Sequence, residues 1–196
     1  ITTLVDTVNN VIYGETSHLS IFTTHSINTN TDPSITFTSA TSSKTIVGRG
    51  FNLVINVTVR NGAITSKTFD INVFADANVI GTQTVTSLAP GEQRKITFVW
   101  QVPIDFPKAN YTLIVDNLAS WVIVTMAGDV SGGGGSIPNT LPDGKVDIKD
   151  FAIMAKVYGV NYPDPRYVAN YDIDGNGKIE IKDFSLAAKN YGKTDP

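Results

Sequence analysis

The C-terminal third of the chain contains the sequence Asp172-Ile173-Asp174-Gly175-Asn176-Gly177-Lys178-Ile179-Glu180-Ile181-Lys182-Asp183. Oxygen-bearing side chains stand at its first, third and fifth positions, and a glycine stands sixth, where a loop that wraps around one cation turns sharply. This spacing is typical of an EF-hand calcium loop, here with Asp rather than Glu at position 12. A polar turn without an ion would explain one or two of the acidic residues but not their spacing. The predicted ligands are Asp172, Asp174, Asn176, the Lys178 carbonyl, Glu180 (directly or through water) and Asp183.

The same unit occurs earlier in the chain, at an offset of 33 residues. Residues 143–159 align with residues 176–192, and ten of these seventeen pairs are identical, so the region contains an internal duplication. In the first copy, loop positions 1 and 3 come from upstream of a glycine-rich insertion. The sequence therefore predicts a second calcium ion, with the ligands Asp129, Ser131, Asp143, the Lys145 carbonyl, Asp147 and Asp150.

The insertion between Ser131 and Asp143 contains four consecutive glycines at positions 132–135. In a phosphate-binding loop, a Lys followed by Ser or Thr comes after the glycines, and this insertion has no such pair. We therefore interpret the glycines as a flexible spacer.

Two calcium loops with this internal symmetry resemble a dockerin type I module, over about residues 128–193. Gly128-Asp129-Val130 at its start and Pro163-Asp164-Pro165 between the copies are similar to archaeal surface-protein variants. The resemblance implies a helix after each loop and a calcium-folded module that binds a cohesin domain. Cellulosomal members commonly carry Ser or Thr at loop positions 10 and 11. Those positions are Ile148-Lys149 and Ile181-Lys182 here, so the fold and metal sites carry over while the partner stays open.

From Ile35 onward, the chain shows short segments in which apolar and polar residues alternate. In residues 51–60 every second residue is apolar, and Asn61-Gly62 is predicted to form a tight turn. Similar segments with turn signals between them continue to Val124, which indicates an all-β sandwich. The predicted fold is mainly β: an Ig/FnIII-like β-sandwich (residues 33–127) precedes a small α-helical dockerin-like module with two calcium loops (residues 128–196), and residues 1–32 form an N-terminal extension.

The sequence of the sandwich segment resembles the CARDB family over about residues 34–127. The matching stretches are residues 55–62, 88–92 and 96–100. The resemblance implies a surface module that serves as a spacer or as an adhesion or assembly unit. We expect Trp100 and Trp121 to be core aromatics, because large aromatic side chains are ordinarily buried, and a carbohydrate platform is the alternative.

Residues 1–32 contain two strand-like stretches, residues 1–5 and 19–22, separated by turn residues that include Gly14. His18 and His25 are an odd number of residues apart, so a continuous strand points them to opposite faces, which argues against a shared metal. An extended segment of this kind can add to the open sheet edge of a neighbouring copy, and such head-to-tail contacts generate a filament. Pairing of residues 1–32 within their own chain is the alternative.

The composition excludes several functional classes. A net charge of −3 with 17% charged residues argues against nucleic-acid binding, and the absence of Cys excludes disulfides and thiol chemistry. No apolar run reaches the roughly 18 residues of a membrane span. A chain without an initiator Met or a signal sequence at Ile1 fits an extracellular or cell-surface protein after signal-peptide removal. Asn56-Val57-Thr58 and Asn110-Tyr111-Thr112 are candidate N-glycan sites.

No catalytic constellation is evident, because the clustered carboxylates are assigned to calcium and the two histidines are isolated. The sequence therefore predicts a non-enzymatic extracellular structural or assembly protein, either a self-assembling surface or filament subunit or, alternatively, a dockerin-type tail for a cohesin on a scaffold or cell envelope. A carbohydrate-binding module is the third class.

Overall fold

The computed structural model describes residues 3–6, 11–14 and 34–195. Thr3–Asp6 (β1) pairs antiparallel with Val11–Gly14 (β2), so these eight residues pair within their own chain. Gly14, which was expected in a turn, is the last residue of a strand. The predicted strand at 19–22 and both histidines lie outside the described residues. Donation of residues 1–32 to a neighbouring copy stays a prediction.

Residues 35–125 form a β-sandwich, as the alternating segments predict. Its eight strands are Ile35–Ser42 (β3), Ile46–Gly48 (β4), Asn52–Asn61 (β5), Lys67–Ala75 (β6), Asn78–Leu88 (β7), Gln93–Gln101 (β8), Ala109–Val115 (β9) and Leu118–Thr125 (β10).

The strands lie in two sheets that pack face to face around one apolar core. The smaller sheet has the order β3-β5-β8, and the larger has the order β4-β10-β9-β6-β7. Neighbouring strands are antiparallel except β4 and β10, which run parallel. The fold class is therefore confirmed as mainly β.

The alternation in β5 shows why the sheets pack as they do. Leu53, Ile55, Val57 and Val59 are buried on the face toward the other sheet, whereas the residues between them are half-buried or exposed. A strand with one apolar face has to bury that face against a second layer, and here the partner layer includes the inward side chains of β6, β9 and β10.

The expectation that both tryptophans are core aromatics was wrong for Trp121. Trp100 on β8 is buried, and its ring meets Phe106 edge-on at a centroid distance of 5.1 Å. Trp121 on β10 is 51% exposed. The reason is the two-residue period of β10, because Val122 and Val124 point into the core and leave Trp121 on the outer face.

Asn61-Gly62 leads into a crossover and not into a hairpin, because β5 and β6 lie in different sheets. The fully buried Asn61 instead fastens the crossover between the sheets. Its Nδ2 donates to the carbonyl oxygens of Thr65 and Leu88, both at 2.8 Å. Its Oδ1 accepts a hydrogen bond from the backbone N–H of Ala63 at 2.8 Å.

Two short helices follow the sandwich, Ile148–Ala155 (α1) and Ile181–Ala188 (α2), together with a 3-10 turn at Ala169–Tyr171. Each helix begins with a capping box, in which the side chain before the helix accepts from the N3 amide and the N3 carboxylate accepts in return. The Phe151 ring packs edge-on against Phe184 and Tyr191, at centroid distances of 5.9 and 5.5 Å. The two helices therefore share one small core.

The helical module packs directly on the sandwich. The side-chain amide of Asn190 donates to the carbonyl oxygen of Ala127 at 2.9 Å, and Arg49 of the sandwich forms an ion pair with the buried Asp195. A Cβ on Gly128 would lie 2.6 Å from the Cβ of Ala187, so the chain leaves β10 in close contact with α2. Among the described residues, no helix is long and apolar enough to cross a membrane.

We predict that Asn61→Ala lowers the free energy of unfolding by about 2 kcal/mol, because it leaves the buried Leu88 carbonyl, the Thr65 carbonyl and the Ala63 amide without their partner. Urea unfolding followed by tryptophan fluorescence measures the loss. Asn72→Ala is the matched control, since among the described residues that side chain bonds only across the surface to Thr82, and its removal should cost less than about 0.5 kcal/mol. Equal losses in the two variants would contradict the role of Asn61.

Candidate metal centres

The second predicted loop brings three carboxylates together. Ligand oxygens of Asp172, Asp174 and Asp183 lie within 4.8 Å of one another. Asp172 and Asp183 are buried, and Asp174 is half-buried. Three acidic groups at this spacing repel one another unless a cation lies between them, and oxygen-only ligands are those that calcium prefers.

Asp172, at position 1, is held by backbone amides from the middle of its own loop. Its Oδ1 accepts from the N–H groups of Gly175 and Asn176, at 2.8 and 3.1 Å. Its Oδ2 accepts from the N–H of Gly177 at 2.7 Å and from the Tyr167 hydroxyl at 2.5 Å. Gly177 has a φ of 86°, so this turn needs glycine.

Asp183, at position 12, closes the loop from the helix side. Its Oδ1 accepts from the N–H groups of Ile173 and Asp174, at 2.8 and 3.4 Å. Its Oδ2 accepts from the N–H of Glu180 at 2.9 Å, which is half of the capping box of α2. The same carboxylate therefore orders the loop and starts the helix.

The first loop repeats this arrangement despite its insertion. Asp129, like Asp172, accepts from the amides at positions 5 and 6, which are Asp143 at 3.1 Å and Gly144 at 2.9 Å. Asp150, like Asp183, accepts from the amides at positions 2, 3 and 9, each at 2.9 Å. The structure thus brings Asp129 and Ser131 to the first half-site across the insertion.

The insertion is an ordered hairpin, and the expectation of a flexible spacer was wrong. Gly132 bridges to Pro142, the Gly133 amide donates to the Leu141 carbonyl at 2.9 Å, and the Leu141 amide donates back to Gly134 at 2.9 Å. A side chain at positions 132, 133 or 135 would collide with the returning strand or with Asp143. The glycines are therefore needed for close backbone approach.

The two copies support each other's loops through equivalent backbone hydrogen bonds. In loop 2, Ile179 accepts from the amide of Gly159, which follows α1, at 2.8 Å. In loop 1, Val146 accepts from the amide of Gly192, which follows α2, at 2.8 Å. Because these pairs are related by the 33-residue offset, neither loop is complete without the other copy.

The remaining predicted ligands line the rims of the loops. The Asn176 amide donates to Asp174 Oδ2 at 3.2 Å and to Glu180 Oε1 at 3.1 Å, so these three side chains converge. Acceptors in both loops also bond to backbone amides, and in the second loop Asn176 Oδ1 accepts from Lys178 N at 2.9 Å. Asp143 Oδ1 accepts from Lys145 N at 3.1 Å, and Asp147 Oδ1 accepts from Lys149 N at 2.7 Å. Lys145 forms an isolated antiparallel β-bridge with Thr194, and Lys178 forms the equivalent β-bridge with Asn161.

Burial leaves these carboxyl groups in need of a cation. Desolvation raises the pKa of Asp129 to about 6, although hydrogen bonds from Thr125 and from loop amides oppose that rise. Burial also raises the pKa values of Asp150 and Asp183. A divalent cation among these oxygens would restore the ionised forms. The grouped carboxylates of the second loop fit calcium, whereas the acids of the first loop form no such group among the described residues.

Sequence reasoning missed two supports of the position-1 carboxylates. The Thr125 hydroxyl donates to Asp129 Oδ2 at 2.6 Å, and the Tyr167 hydroxyl plays the same part for Asp172. The two donors stand four and five residues before their loops and are of different residue types. The internal repeat therefore gave no signal for them.

Comparison with known proteins identifies both parts of the chain. Residues 30–120 match the family model of the CARDB domain, and residues 142–190 match that of the dockerin type I domain. The second match begins after the insertion, so Asp129 and Ser131 lie outside it. No curated protein is significantly similar to the chain.

Solved structures similar to this chain cover about half of it. They include a CARDB domain from Pyrococcus furiosus in complex with di-metal ions (21% identity, TM-score 0.39), which matches 47% of this chain and 93% of that one. A domain of a putative cell surface protein from Methanosarcina acetivorans has 23% identity and a TM-score of 0.36, over 47% of this chain and 91% of that one. A β-glucosidase from Erythrobacter marinus has 14% identity and a TM-score of 0.41 over 47% of this chain, but the match spans only 15% of the enzyme.

Both matched domains are non-catalytic in kind, and a dockerin type I domain is a calcium-binding protein-interaction domain. By these family matches, the chain carries a CARDB domain followed by a dockerin type I domain.

Proposed function

We propose that this chain is an extracellular, non-enzymatic interaction protein whose dockerin type I domain takes up two calcium ions and binds a partner protein of the cohesin type. The observation that carries the proposal is the equivalence of the two loops. In each loop, amides from the same loop positions fix the carboxylates at positions 1 and 12. Bound calcium would supply the positive charge that these buried acids lack.

Residues 33–127 serve in this proposal as the rigid carrier of the module at 128–196. CARDB and dockerin domains are typically extracellular or surface-associated, where calcium sites of modest affinity are filled. Asn110 is exposed on the outer face of β9 and suits an N-glycan. Asn56 is half-buried and accepts from the Thr97 hydroxyl at 2.9 Å, so it suits a glycan less well.

The partner surface proposed here is the pair of helix starts. Ile148 and Ile181, at loop position 10 of each copy, are both 66% exposed. Tyr158 and Tyr191, also related by the repeat, are more than half exposed. The repeat places these exposed apolar side chains in equivalent positions of the two copies, and in this proposal they contact the partner protein. The carbohydrate alternative depends on the single exposed indole of Trp121 and is not favoured.

We predict that the chain binds two calcium ions and that Asp150→Asn and Asp183→Asn each remove one of them, because each substitution removes the charge of one position-12 carboxylate. Calcium titration by calorimetry, with native mass spectrometry for stoichiometry, measures the result. Asp70→Asn, on the exposed face of β6, should retain both ions. A wild-type stoichiometry of one would overturn the assignment of the first loop.

The raised pKa of Asp129 predicts a pH effect in chelator. The folded pKa of about 6 lies above the ordinary value of 3.8, so the folded state binds the proton more tightly. This contribution to stability is complete below pH 3.8 and is lost as the pH rises through 6. The melting temperature of wild type should therefore exceed that of Asp129→Asn by more at about pH 4.5, below the transition, than at about pH 7.5, above it. A difference that does not change with pH would contradict the burial of this carboxyl group.

We predict that the double variant Ile148→Ser/Ile181→Ser binds a cohesin domain at least about tenfold more weakly than wild type while retaining both calcium ions. Surface plasmon resonance against a panel of cohesins, in calcium and in chelator, measures the affinity. Ile64→Ser is the matched control, since Ile64 is an exposed isoleucine on the sandwich. If no cohesin binds wild type, the proposed partner class is wrong. The calcium assignment is tested separately, by the calcium titration.

A further inference from the structure

We propose that Lys44, a residue of the β-sandwich, is a positioning residue of the second calcium loop and keeps that loop folded and docked in metal-free protein. This inference rests on the proposed function for the identity of the loop, but its test does not require calcium. It depends on contacts between residues 128 positions apart in the chain.

The Lys44 side chain lies in the junction between the two domains. Lys44 stands between β3 and β4 and is only 7% exposed. Its ammonium donates to the carbonyl oxygen of Asp172 at 2.6 Å and to that of Ile173 at 3.3 Å. These carbonyls belong to loop positions 1 and 2, so the contact fixes the backbone at the point where the loop begins.

The residues next to Lys44 form further hydrogen bonds to the segment that precedes the loop. The backbone amides of Thr45 and Ile46 both donate to Asn170 Oδ1, at 2.9 and 3.0 Å. The Asn170 amide donates in return to the Thr45 hydroxyl at 3.1 Å. Asn170 lies just before the loop, and it satisfies amides at the start of β4, an edge strand of the larger sheet.

A buried ammonium needs compensating negative charge, and two neutral carbonyls do not supply it. The acids whose charge acts on the Lys44 ammonium are Asp172, Asp174 and Asp183, which are the grouped carboxylates of the second loop. Lys44 therefore serves as a counter-ion that the sandwich supplies to the loop. With calcium absent, it offsets part of the repulsion among these acids.

The first loop provides an internal comparison, because a hydroxyl group and not an ammonium donates to its position-2 carbonyl. Its position-2 carbonyl, on Val130, accepts from the Thr140 hydroxyl at 2.7 Å, and Thr140 comes from the inserted hairpin. The second loop lacks the insertion, and its position-2 carbonyl accepts from Lys44. Removal of Lys44 should therefore loosen the second loop and leave the first one as it was.

Amide hydrogen exchange of the whole chain in chelator, read by mass spectrometry, tests this. In Lys44→Met, exchange in peptides from residues 170–183 should be at least about tenfold faster than in wild type, and exchange in peptides from residues 129–150 should change less than about twofold. Lys95→Met, which removes an exposed lysine from β8, is the matched control.

Unchanged exchange in residues 170–183, or equal acceleration in both loops, would overturn the proposal, since the latter reports general destabilisation. Lys44→Gln keeps a donor for the carbonyl oxygens without the charge, and it carries the same test if the Met variant does not fold. A wild-type protein that binds no calcium would defeat the proposed function alone, because the exchange comparison is made without metal.

Discussion

The C-terminal module depends on one kind of interaction: a buried aspartate carboxylate that accepts several backbone amides of its own loop. Each loop has two such groups, one at its start and one at its end. The amides fix the oxygens in place, and burial makes the negative charge costly unless a cation is near. The last carboxylate of each loop also caps the following helix. The loop and the helix that follows it are therefore one cooperative unit.

The same logic explains why the two copies need each other. Each loop pairs through its eighth residue with the segment that follows the helix of the other copy. The aromatic side chains of both helices then close a common core. A single copy would leave one edge of its loop unpaired and half of an apolar face uncovered, so the duplication is a structural requirement of the module.

The sandwich takes part in this arrangement. Thr125, the last residue of β10, donates to the position-1 carboxylate of the first loop, and Lys44 donates to the start of the second. Together with the Arg49–Asp195 ion pair, these contacts join the β-sandwich directly to the C-terminal module. The geometry thus favours a rigid two-domain unit, in which the exposed helix starts keep a defined direction relative to the sheets.

The sequence by itself determined the features that have a local period or spacing. Alternation identified the core face of β5, and the loop spacing together with the 33-residue repeat identified both position-1 and position-12 carboxylates, including Asp129 across its insertion. Features that depend on which elements become neighbours were decided only by the tertiary structure. Trp121 faces outward because of the register of β10, and Asn61 spans two sheets because β5 and β6 do not pair. Lys44 reaches the second loop because a distant strand edge docks there, and no pattern within a sequence window records a contact between residues 128 positions apart.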